Sequence, residues 1–522
     1  MWRRGIGYID DTMNDAASVF LALVCLTVGS RVWNYLRHRK ETGYLPGIRC
    51  LVSPLSVLGA STPTSSYNPG RHWQWDWRQT VYKAAQSETI SVIPILFGRP
   101  SIYTSSAEVA RQVVSTQSAF YKTQETTEIT LIWGPNIFAA NGDEWRKHRR
   151  VINPAFSQDS YVSVWQNTAR VFDEMVANEG WLTQSKVEIP IVNKLTNKLA
   201  LILISTCGFG NPLSWNSGKL EGEEMSFSEA LSIVSDRMLA RLLLPKWAYW
   251  LPVKKIQEIE TAYKSLGAYM KKLISRRRQE IASSGVSSDD ILSLMIQSSQ
   301  EDKYNMTDAE LLGNTFLLLS AGHDTTARTL DACFVMLALH QDFQEELHSE
   351  IMEAMPGEDD ITFENSSGLR KLRGCFLESS RLFPAGYLMI RDTSEDMVLR
   401  NAAPGGGDLP LKQGTTVAVD MIGLHYNPKL YPDPETFKPE RWYDAHENDL
   451  TMFSFGSRSC PGRKFALTEG TCFLAKLLRN WKIEMLAHEG ETQQQWKERV
   501  VRGQILFNFG VGSVPVRLVR RS

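Results

Sequence analysis

The sequence has few cysteines, and they follow none of the patterns that build disulfide-rich or zinc-binding domains. Its 522 residues include seven cysteines, an odd number, with no CxxC motif and no closely spaced set of cysteine and histidine. A disulfide scaffold, a zinc finger and a cofactor attached covalently through CxxCH are therefore disfavoured. Most of the cysteines are expected to be reduced and buried.

The chain also lacks net charge of either sign. Its 57 Lys and Arg residues against 58 Asp and Glu residues give a formal charge of −1. This balance excludes a globally basic nucleic-acid binder, although a local basic patch remains allowed. Apolar residues make up 43% and charged residues 22% of the chain, which disfavours a disordered or fibrous protein.

No segment after the N-terminal region resembles a membrane span. The segment Ala16–Leu36 carries one charge, Arg31, and as a helix it would rise about 31 Å, close to the thickness of a bilayer core. Acidic residues precede the run and basic residues follow it: Asp10, Asp11 and Asp15, then Arg37, His38, Arg39 and Lys40. Residues 1–45 are predicted to be a single-pass membrane anchor with the rest of the chain in the cytosol. A cleaved signal peptide is the alternative.

After the anchor, a proline-containing stretch precedes a long segment without repeats or low-complexity linkers. Residues 46–79 are predicted to be a stiff linker, and residues 80–522 one large domain, although the length would allow three. Thr307 and Glu310 form a capping box before Leu311–Leu339, which is apolar on almost every face and indicates a buried central helix. The strand-like runs are short: Thr415–Val419, Ile505–Phe509 and Val514–Val519. The expected class is mainly α with minor β.

Polar residues interrupt this central helix at Ala321–Thr326. A buried Asp324 is costly without a partner, and Gly322 weakens a helix. Two unfavourable residues at one place in a helix are typical of a functional or strained site. Gly322 would let a flat ligand approach the backbone, and Asp324 with Thr325 could relay protons into a dry pocket. The alternative is a structural kink with an ion-paired aspartate.

A second signal is a single cysteine in a glycine-containing loop ahead of a helix. Cys460 follows Arg458 and precedes Gly462 and Arg463, so backbone N–H groups, the helix dipole and two cations all favour its thiolate. A thiolate in a rigid loop with no second cysteine nearby suits a single axial metal ligand. The alternative is a small buried hydrophobic residue.

Five motifs together resemble those of the cytochrome P450 family, the haem-thiolate monooxygenases. The matches are FxxGxRxCxG at Phe453, Gly456, Arg458, Cys460 and Gly462, ExxR at Glu378 and Arg381, AGxDTT at Ala321–Thr326, and WxxxR at Trp145 and Arg149. The segment Phe437–Trp442 is similar to the PERF segment of the family, with Trp442 where Phe is usual. The resemblance covers nearly the whole chain and implies the cytochrome P450 fold, preceded by one transmembrane helix as in the microsomal class of eukaryotes.

The resemblance implies a non-covalent haem b with the Cys460 thiolate as the axial iron ligand. The ring of Phe453 would shield the sulfur, and Gly322 would lie on the opposite side of the cofactor. The candidates for contacts with the haem propionates are Trp145, Arg149, Arg391 and Arg458. Arg391 is placed only by its position after Leu382–Pro384, and a surface arginine is the alternative.

Two further groups of residues take roles from the resemblance. Glu378 and Arg381 share one helix face and would join Arg441 in a buried charge network that supports folding and haem retention. Asp324 and Thr325 would deliver protons on the distal side. The implied reaction inserts one oxygen atom of O2 into a substrate C–H bond and reduces the other to water.

The sequence contains no recognisable motif for a nucleotide cofactor that would supply electrons, so an electron-donating partner is expected. It has no GxGxxG motif opening a βαβ unit, so a separate NADPH-cytochrome P450 reductase is the expected electron donor. A basic run would dock it: Arg146, Lys147, Arg149 and Arg150, with Arg463 and Lys464 near the cysteine. A solvated charge run is the alternative.

The substrate is the least determined part. The general pattern resembles fungal P450s of specialised metabolism, which implies a lipophilic small molecule such as a terpenoid, at the endoplasmic reticulum membrane. The apolar residues Leu242–Leu244, Trp247 and Trp250 fit either a lipophilic entrance or a core. Two other functions stay open: a relative that isomerises substrate or rearranges a peroxide, and a non-catalytic haem-binding protein.

Overall fold

The structure is a computed structural model that describes residues 4–115, 119–216, 225–284, 290–300, 306–354, 362–446 and 449–521. The helices are α1 (Arg4–Glu41), α2 (Val57–Ala60), α3 (Trp73–Asp76), α4 (Val81–Ala85), α5 (Ala107–Val114), α6 (Gln124–Thr127), α7 (Gly142–Ile152), α8 (Gln158–Asn178), α9 (Asn193–Leu203), α10 (Phe227–Asp236), α11 (Met238–Leu243), α12 (Lys254–Ser284), α13 (Ile291–Gln300), α14 (Asp308–Leu339), α15 (Gln341–Ala354), α16 (Arg370–Leu382), α17 (Met421–His425), α18 (Arg463–Asn480) and α19 (Gln493–Val500). A π-helical turn, Ile204–Gly208, extends α9.

The strands have between two and nine residues. They are β1 (Gly47–Val52), β2 (Thr89–Phe97), β3 (Ser101–Thr104), β4 (Phe120–Tyr121), β5 (Lys186–Ile189), β6 (Leu388–Thr393), β7 (Met397–Ala403), β8 (Gly407–Leu411), β9 (Thr416–Asp420), β10 (Trp481–Met485), β11 (Gly503–Ile505), β12 (Phe509–Val511) and β13 (Val516–Arg520). The prediction of a mainly α protein with minor β is confirmed.

The chain divides into two units, and the first comprises Met1–Val113 with Ile390–Leu424. Its main sheet has the strand order β1, β2, β3, β9, β6. Strand β2 pairs in parallel with β1 and antiparallel with β3, and β3 pairs in parallel with β9. The sequence TISVIPILF of β2 is rich in β-branched residues, which favour a pleated sheet surface, and its first six residues are buried. Strands β7 and β8 form a separate antiparallel hairpin.

The stretch 46–79, expected to be a stiff linker, is a folded part of this unit. It contains β1, α2 and α3, and the side chains of Cys50 and Trp73 are buried. Trp73 also packs edge-on against Tyr103 of β3, with ring centroids 5.0 Å apart. Proline and glycine mark tight turns between short elements as well as linkers, so composition alone does not separate the two.

Helix α1 contains the predicted anchor. Its portion Ser18–Glu41 is long and apolar enough to cross a membrane, and none of it is buried inside the protein. Towards its C-terminal end, Arg31 Nη1 donates a hydrogen bond of 2.8 Å to the carbonyl of Leu96 at the end of β2. The single charge within the apolar run therefore has a protein partner.

The second unit comprises Val114–Met389 with His425–Ser522 and holds most of the helices. Its central element is α14, which begins with Thr307 as N-cap and Glu310 completing the capping box, as predicted. Nearly all residues of α14 from Leu311 to Ala338 are buried, which agrees with an apolar pattern on every face. Strands β10, β13 and β5 form an antiparallel sheet in that order.

Two of the three predicted strands are confirmed, as β9 and β13, and the third is wrong. The run Ile505–Phe509 is a hairpin: Ile505 ends β11, Phe509 begins β12, and these two residues pair with each other. The backbone N–H of Leu506 donates to the carbonyl of Asn508 at 3.1 Å, which closes the turn. An apolar run that continues through a tight turn has the same composition as a strand, and this one contains no Gly or Pro to mark the reversal.

Candidate active site

The loop before α18 presents Cys460. The backbone N–H of Cys460 donates to the carbonyl of Phe453 at 2.8 Å, and that of Ser459 donates to Gly456 at 3.0 Å. Gly456 adopts a φ of +56°, a left-handed conformation that glycine reaches without strain. Gly462 is the N-cap of α18, so Cys460 lies just before a helix N-terminus, as predicted, and its side chain is exposed. The loop is thus closed by its own backbone and directs one thiol outward.

The surroundings of Cys460 shift the pKa of its thiol in opposite directions. Although the Cys460 side chain is accessible at the surface, the protein atoms around it desolvate the thiol and raise its pKa, while the Gly462 N–H and the cations Arg149 and Arg463 lower it. The net direction is upward. The backbone N–H and Arg463 lower the pKa as predicted, with Arg149 instead of Arg458 as the second cation, but together they do not offset the desolvation. A thiolate at this position therefore needs the positive charge of a bound metal ion in addition.

Two arginines predicted to bind an anionic group lie next to this loop. Arg149 Nη1 donates to the carbonyl of Ser459 at 2.8 Å, and Arg458 Nη1 donates to that of Ala140 at 3.0 Å. Arg458 also lies over the ring of the buried Trp145, 4.5 Å from its centroid. Burial lowers the pKa of both guanidinium groups, that of Arg458 to about 10, and Arg149 adds to the effect on Arg458.

No carboxylate pairs with either of these guanidinium groups in the part of the chain that the structure describes. Two half-buried cations that repel each other need anionic partners to offset their desolvation. Arg149 and Arg458, with the indole ring of Trp145 beside Arg458, thus form a cationic group near the Cys460 loop that is suited to an anion.

The centre of α14 has one open face. Ala321 is exposed and Thr325, one turn later, is only partly buried, although most of the helix is enclosed. Thr325 Oγ1 donates to the carbonyl of Ala321 at 2.8 Å, which leaves the lone pairs of the hydroxyl oxygen as acceptors.

Gly322 packs closely against a protein side chain, and its predicted approach to a flat ligand stays a prediction. A Cβ atom at this position would lie 2.7 Å from Cγ1 and 2.8 Å from Cδ1 of Ile204, in the π-helical turn. The space beside the glycine is thus taken by a protein side chain, and close packing of α14 against this turn accounts for it.

Asp324 is buried with two partners. Arg328 Nε lies 3.0 Å from Oδ1, and Asn508 Nδ2 donates to Oδ2 at 2.6 Å. Arg328 lies four residues later on the same helix, a spacing from which the sequence itself indicates an ion pair. Asn508 is far away in sequence, and no pattern in the chain indicates it.

The predicted charge network is present in the second unit. Glu378 and Arg381 are fully buried, and Arg381 donates from Nε and Nη2 to the two carboxylate oxygens at 2.9 and 2.8 Å. Burial lowers the pKa of Arg381, but the Glu378 carboxylate outweighs this effect and the net shift is upward. Arg441 Nε lies 3.5 Å from Glu378, too long for a strong hydrogen bond.

Two donors complete the network. The indole N–H of Trp442 donates to Glu378 Oε2 at 2.8 Å, and the backbone N–H of Lys438 donates to Oε1 at 2.9 Å. The residue that departs from the PERF segment therefore supplies a direct partner for the buried carboxylate. Phe could not make this bond.

The remaining predicted residues are less directly placed. Arg391 lies in the first unit on β6, where it is buried and donates to the carbonyl of Ile390 at 2.7 Å. Its predicted contact with a propionate stays a prediction. In the basic run, Arg146 pairs with Asp143 and Lys147 with Glu310, so part of its charge is neutralised within the protein.

One cluster outside this site has the composition of a cation site. Its members, in the described part of the chain, are Glu144, His148 and Glu310. Asn314 Oδ1 accepts from the N–H of Ile137 at 2.9 Å, so its Nδ2 faces His148 Nδ1, 2.7 Å away. An amide nitrogen only donates, so His148 carries its proton on Nε2 and has no free ring nitrogen for a metal. Burial lowers the pKa of His148 to about 4, so the ring is neutral.

Comparison with known proteins decides the family. A profile described as Cytochrome P450 matches residues 82–509. The chain belongs to the cytochrome P450 family. Its relatives include Cytochrome P450 monooxygenase 124 of Postia placenta, which is 29% identical over 522 residues and covers 98% of this chain and 100% of that protein. Another is Cyclooctat-9-en-7-ol 5-monooxygenase of Streptomyces melanosporofaciens, 29% identical over 72% of this chain and 78% of that protein.

Solved structures agree on the fold. A crystal structure of a cytochrome P450, CYP102L1, superposes with a TM-score of 0.70 at 22% sequence identity and covers 91% of this chain and 99% of that one. The protein is a cytochrome P450 monooxygenase, and its family implies a haem with a cysteine thiolate ligand.

The described residues of this P450 fit such a haem. Cys460 offers a single soft ligand, and the two unpaired guanidinium groups offer partners for the carboxylates of a porphyrin. Bound iron would also provide the positive charge that the thiolate requires.

Proposed function

We propose that this P450 hydroxylates or otherwise oxidises a lipophilic small molecule, with haem b held by Cys460, Arg149, Arg458 and Trp145. The observation that carries the proposal is the cysteine loop with two unpaired, half-buried cations beside it. When bound, the haem supplies O2 activation. The balanced reaction is substrate–H plus O2, NADPH and a proton giving substrate–OH, water and NADP⁺.

The residues of the chain would supply position and protons. Cys460 would hold the iron through a thiolate, and the backbone-closed loop would keep that sulfur in place. Thr325 Oγ1, whose O–H donates to the carbonyl of Ala321, would accept a hydrogen bond on the open face of α14. Asp324 would connect this hydroxyl to solvent, since a carboxylate can accept a proton and pass it on.

Binding of carbon monoxide to the reduced protein tests whether the Cys460 thiolate ligates the haem iron. The reduced protein with CO should show the absorption band of a thiolate-ligated haem, and Cys460→Ser should lose it while retaining the fold. Cys472→Ser, at a buried cysteine on α18, is the matched control and should keep the band. A normal thiolate band in Cys460→Ser would refute the assignment of the axial ligand.

The proposed location is the endoplasmic reticulum membrane, with residues 1–45 as anchor and the catalytic part in the cytosol. The exposed apolar helix α1 supports this location. So do Trp247 and Trp250, whose exposed fractions of 62% and 88% favour a lipophilic surface over a core. Deletion of residues 1–45 should release part of the protein from membranes, and complete retention of the anchor-free chain at high salt would argue for another membrane contact.

The proposed electron donor is NADPH-cytochrome P450 reductase. The basic residues of α7 and the start of α18 support docking of an acidic partner, although Lys147 is already paired with Glu310. Electron transfer should slow as ionic strength rises if docking is electrostatic. A rate independent of salt would exclude this mode.

The proposed substrate class is terpenoid-like. Support comes from the relative in Streptomyces melanosporofaciens, which is named as a monooxygenase of cyclooctat-9-en-7-ol. Product analysis with a terpenoid library and isotopically labelled O2 tests it. One labelled oxygen in the product supports monooxygenation, whereas turnover without label would favour an isomerase or a peroxide-rearranging enzyme, and no turnover of any kind would favour a haem-binding protein.

A further inference from the structure

The carboxylate of Asp324 is held from two directions. Arg328 approaches Oδ1 at 3.0 Å and Oδ2 at 3.1 Å, and Asn508 Nδ2 approaches Oδ2 at 2.6 Å. Both partners are donors only at these atoms, and a carboxylate accepts from donors when it is ionised. The side chains of Asp324 and Arg328 are largely enclosed and that of Asn508 is half-buried, so solvent only partly weakens these contacts.

The two partners constrain Asp324 differently. Arg328 is one turn later on α14, so its contact joins two side chains of one helix and moves with it. Asn508 belongs to the turn of the β11–β12 hairpin, at residues 506–508. Its contact is therefore the one that fixes the carboxylate relative to a different element.

The hairpin is itself firmly attached near this point. A Cβ atom at Gly510 would lie 3.1 Å from the Arg328 side chain, so the hairpin backbone packs directly against that residue. The N–H of Phe509 donates to the carbonyl of Ala385 at 2.9 Å, and its ring stacks on Phe383 with centroids 5.9 Å apart. The residue after Asn508 is thus locked in place, which leaves the amide little freedom to follow a moving carboxylate.

A second contact ties the same end of the chain to α14. Asn193 Oδ1 accepts from the N–H of Val514 at 3.2 Å, and Asn193 Nδ2 donates to Asp331 at 2.7 Å. Asp331 lies two turns after Asp324 on α14. The segment that contains Asn508 is therefore connected to the helix on both sides of Arg328, and it acts as a rigid support.

We propose that Asn508 is a positioning residue for proton delivery: its side-chain amide holds the Asp324 carboxylate in the orientation from which it serves Thr325. The inference rests on the proposed role of Asp324. Without the amide, the carboxylate keeps only the partner on its own helix and can turn away, so that protons reach the bound oxygen more slowly.

The stoichiometry of O2 reduction reports on the rate of proton delivery and does not require a known substrate. With purified reductase and no organic substrate, reduction of O2 to hydrogen peroxide consumes one NADPH and one proton. Reduction of O2 to two water molecules consumes two NADPH and two protons. Slower proton delivery shifts the products towards peroxide. We expect Asn508→Leu to raise the ratio of peroxide to water by about tenfold, the factor that one hydrogen bond to a charged group represents.

Three further variants separate the effect of the hydrogen-bond donor at position 508 from the effect of side-chain size. Asn508→Asp keeps the size but removes the donor, and it should behave like Asn508→Leu or worse. Asn508→Gln keeps an amide donor and should restore part of the wild-type ratio. Gln504→Leu makes the same change as Asn508→Leu at an exposed position of β11, and it should leave the ratio unchanged. A ratio that follows side-chain size alone would overturn the inference.

The variant Asp324→Asn distinguishes this inference from the proposed function. If Asp324→Asn leaves the ratio at the wild-type value, the role of Asp324 itself fails. If it raises the ratio and Asn508→Leu does not, only the positioning role of Asn508 is overturned. Urea unfolding gives a readout independent of turnover: the midpoint shifts of Asn508→Leu and Asp324→Asn should be less than additive in the double variant, and additive shifts would contradict the contact.

Discussion

Removal of the Glu378 carboxylate should cost a large part of the stability of this protein. The carboxylate accepts from Arg381 Nε and Nη2, the Lys438 N–H and the Trp442 indole, at 2.8–2.9 Å. Glu378→Ala leaves all of these donors without it and leaves the Arg381 charge uncompensated in the interior. Breaking a buried ion pair in this way typically costs about 3–5 kcal/mol, against a total of about 5–15 kcal/mol for a folded domain.

Urea denaturation followed by tryptophan fluorescence measures this loss, and haem absorbance per mole of protein measures cofactor retention. Glu378→Ala should lower the free energy of unfolding by about 3–5 kcal/mol and yield protein with little haem. Glu440→Ala is the matched control, because Glu440 is exposed in the neighbouring segment, and it should change stability by less than about 0.5 kcal/mol. Normal haem content together with a loss below about 1 kcal/mol in Glu378→Ala would refute the role of the network.

Three smaller changes test single groups. Trp442→Phe removes the indole donor to Glu378 but keeps a buried ring, so it should cost about 1.5–3 kcal/mol in urea denaturation, less than Glu378→Ala; an unchanged midpoint would show that the bond contributes nothing. Thr325→Ala should raise the peroxide released per NADPH with reductase present, and unchanged coupling would contradict its role in proton delivery. Burial raises the pKa of Asp420 to about 7. This carboxyl therefore keeps a proton in the folded state that the unfolded chain loses between about pH 4 and 7, and its contribution is full at low pH and falls as pH rises through that window. Asp420→Asn should remove up to about 1.4 kcal/mol per pH unit from the pH dependence of unfolding there, and an unchanged slope would refute the shift.

Local patterns predicted those parts of the fold and site that depend on neighbours in sequence. The capping box at Thr307 and Glu310 begins α14 because both members lie within one helical turn. Glu378 and Arg381 meet because a spacing of three places them on one helix face. The cysteine loop follows the same rule, since its glycines and the start of α18 lie within a few residues of Cys460.

Such local patterns do not predict contacts between segments that are distant in sequence. The apolar run Ile505–Phe509 reads as a strand, and only its pairing in space shows that it reverses direction. Asn508, in the middle of this run, has no feature that marks it as a partner of Asp324. The stretch 46–79 is folded because β1 pairs with a strand from a later segment, which its own composition does not indicate.

The sequence around Cys460 indicates groups that lower the pKa of its thiol, but it does not determine whether the thiol is protonated. Arg149, Arg463 and the Gly462 N–H all favour the thiolate, and all of them are close to it. Desolvation outweighs them, and desolvation depends on how much of the whole fold surrounds the sulfur. The same enclosure that disfavours a free thiolate strengthens its attraction to a cation, because the local dielectric is low. A cysteine that is accessible to a ligand, yet desolvated by the surrounding protein and close to cations, is therefore suited to an iron-bound thiolate and poorly suited to a free nucleophile. This favours the ligand role over a reactive thiol at this position.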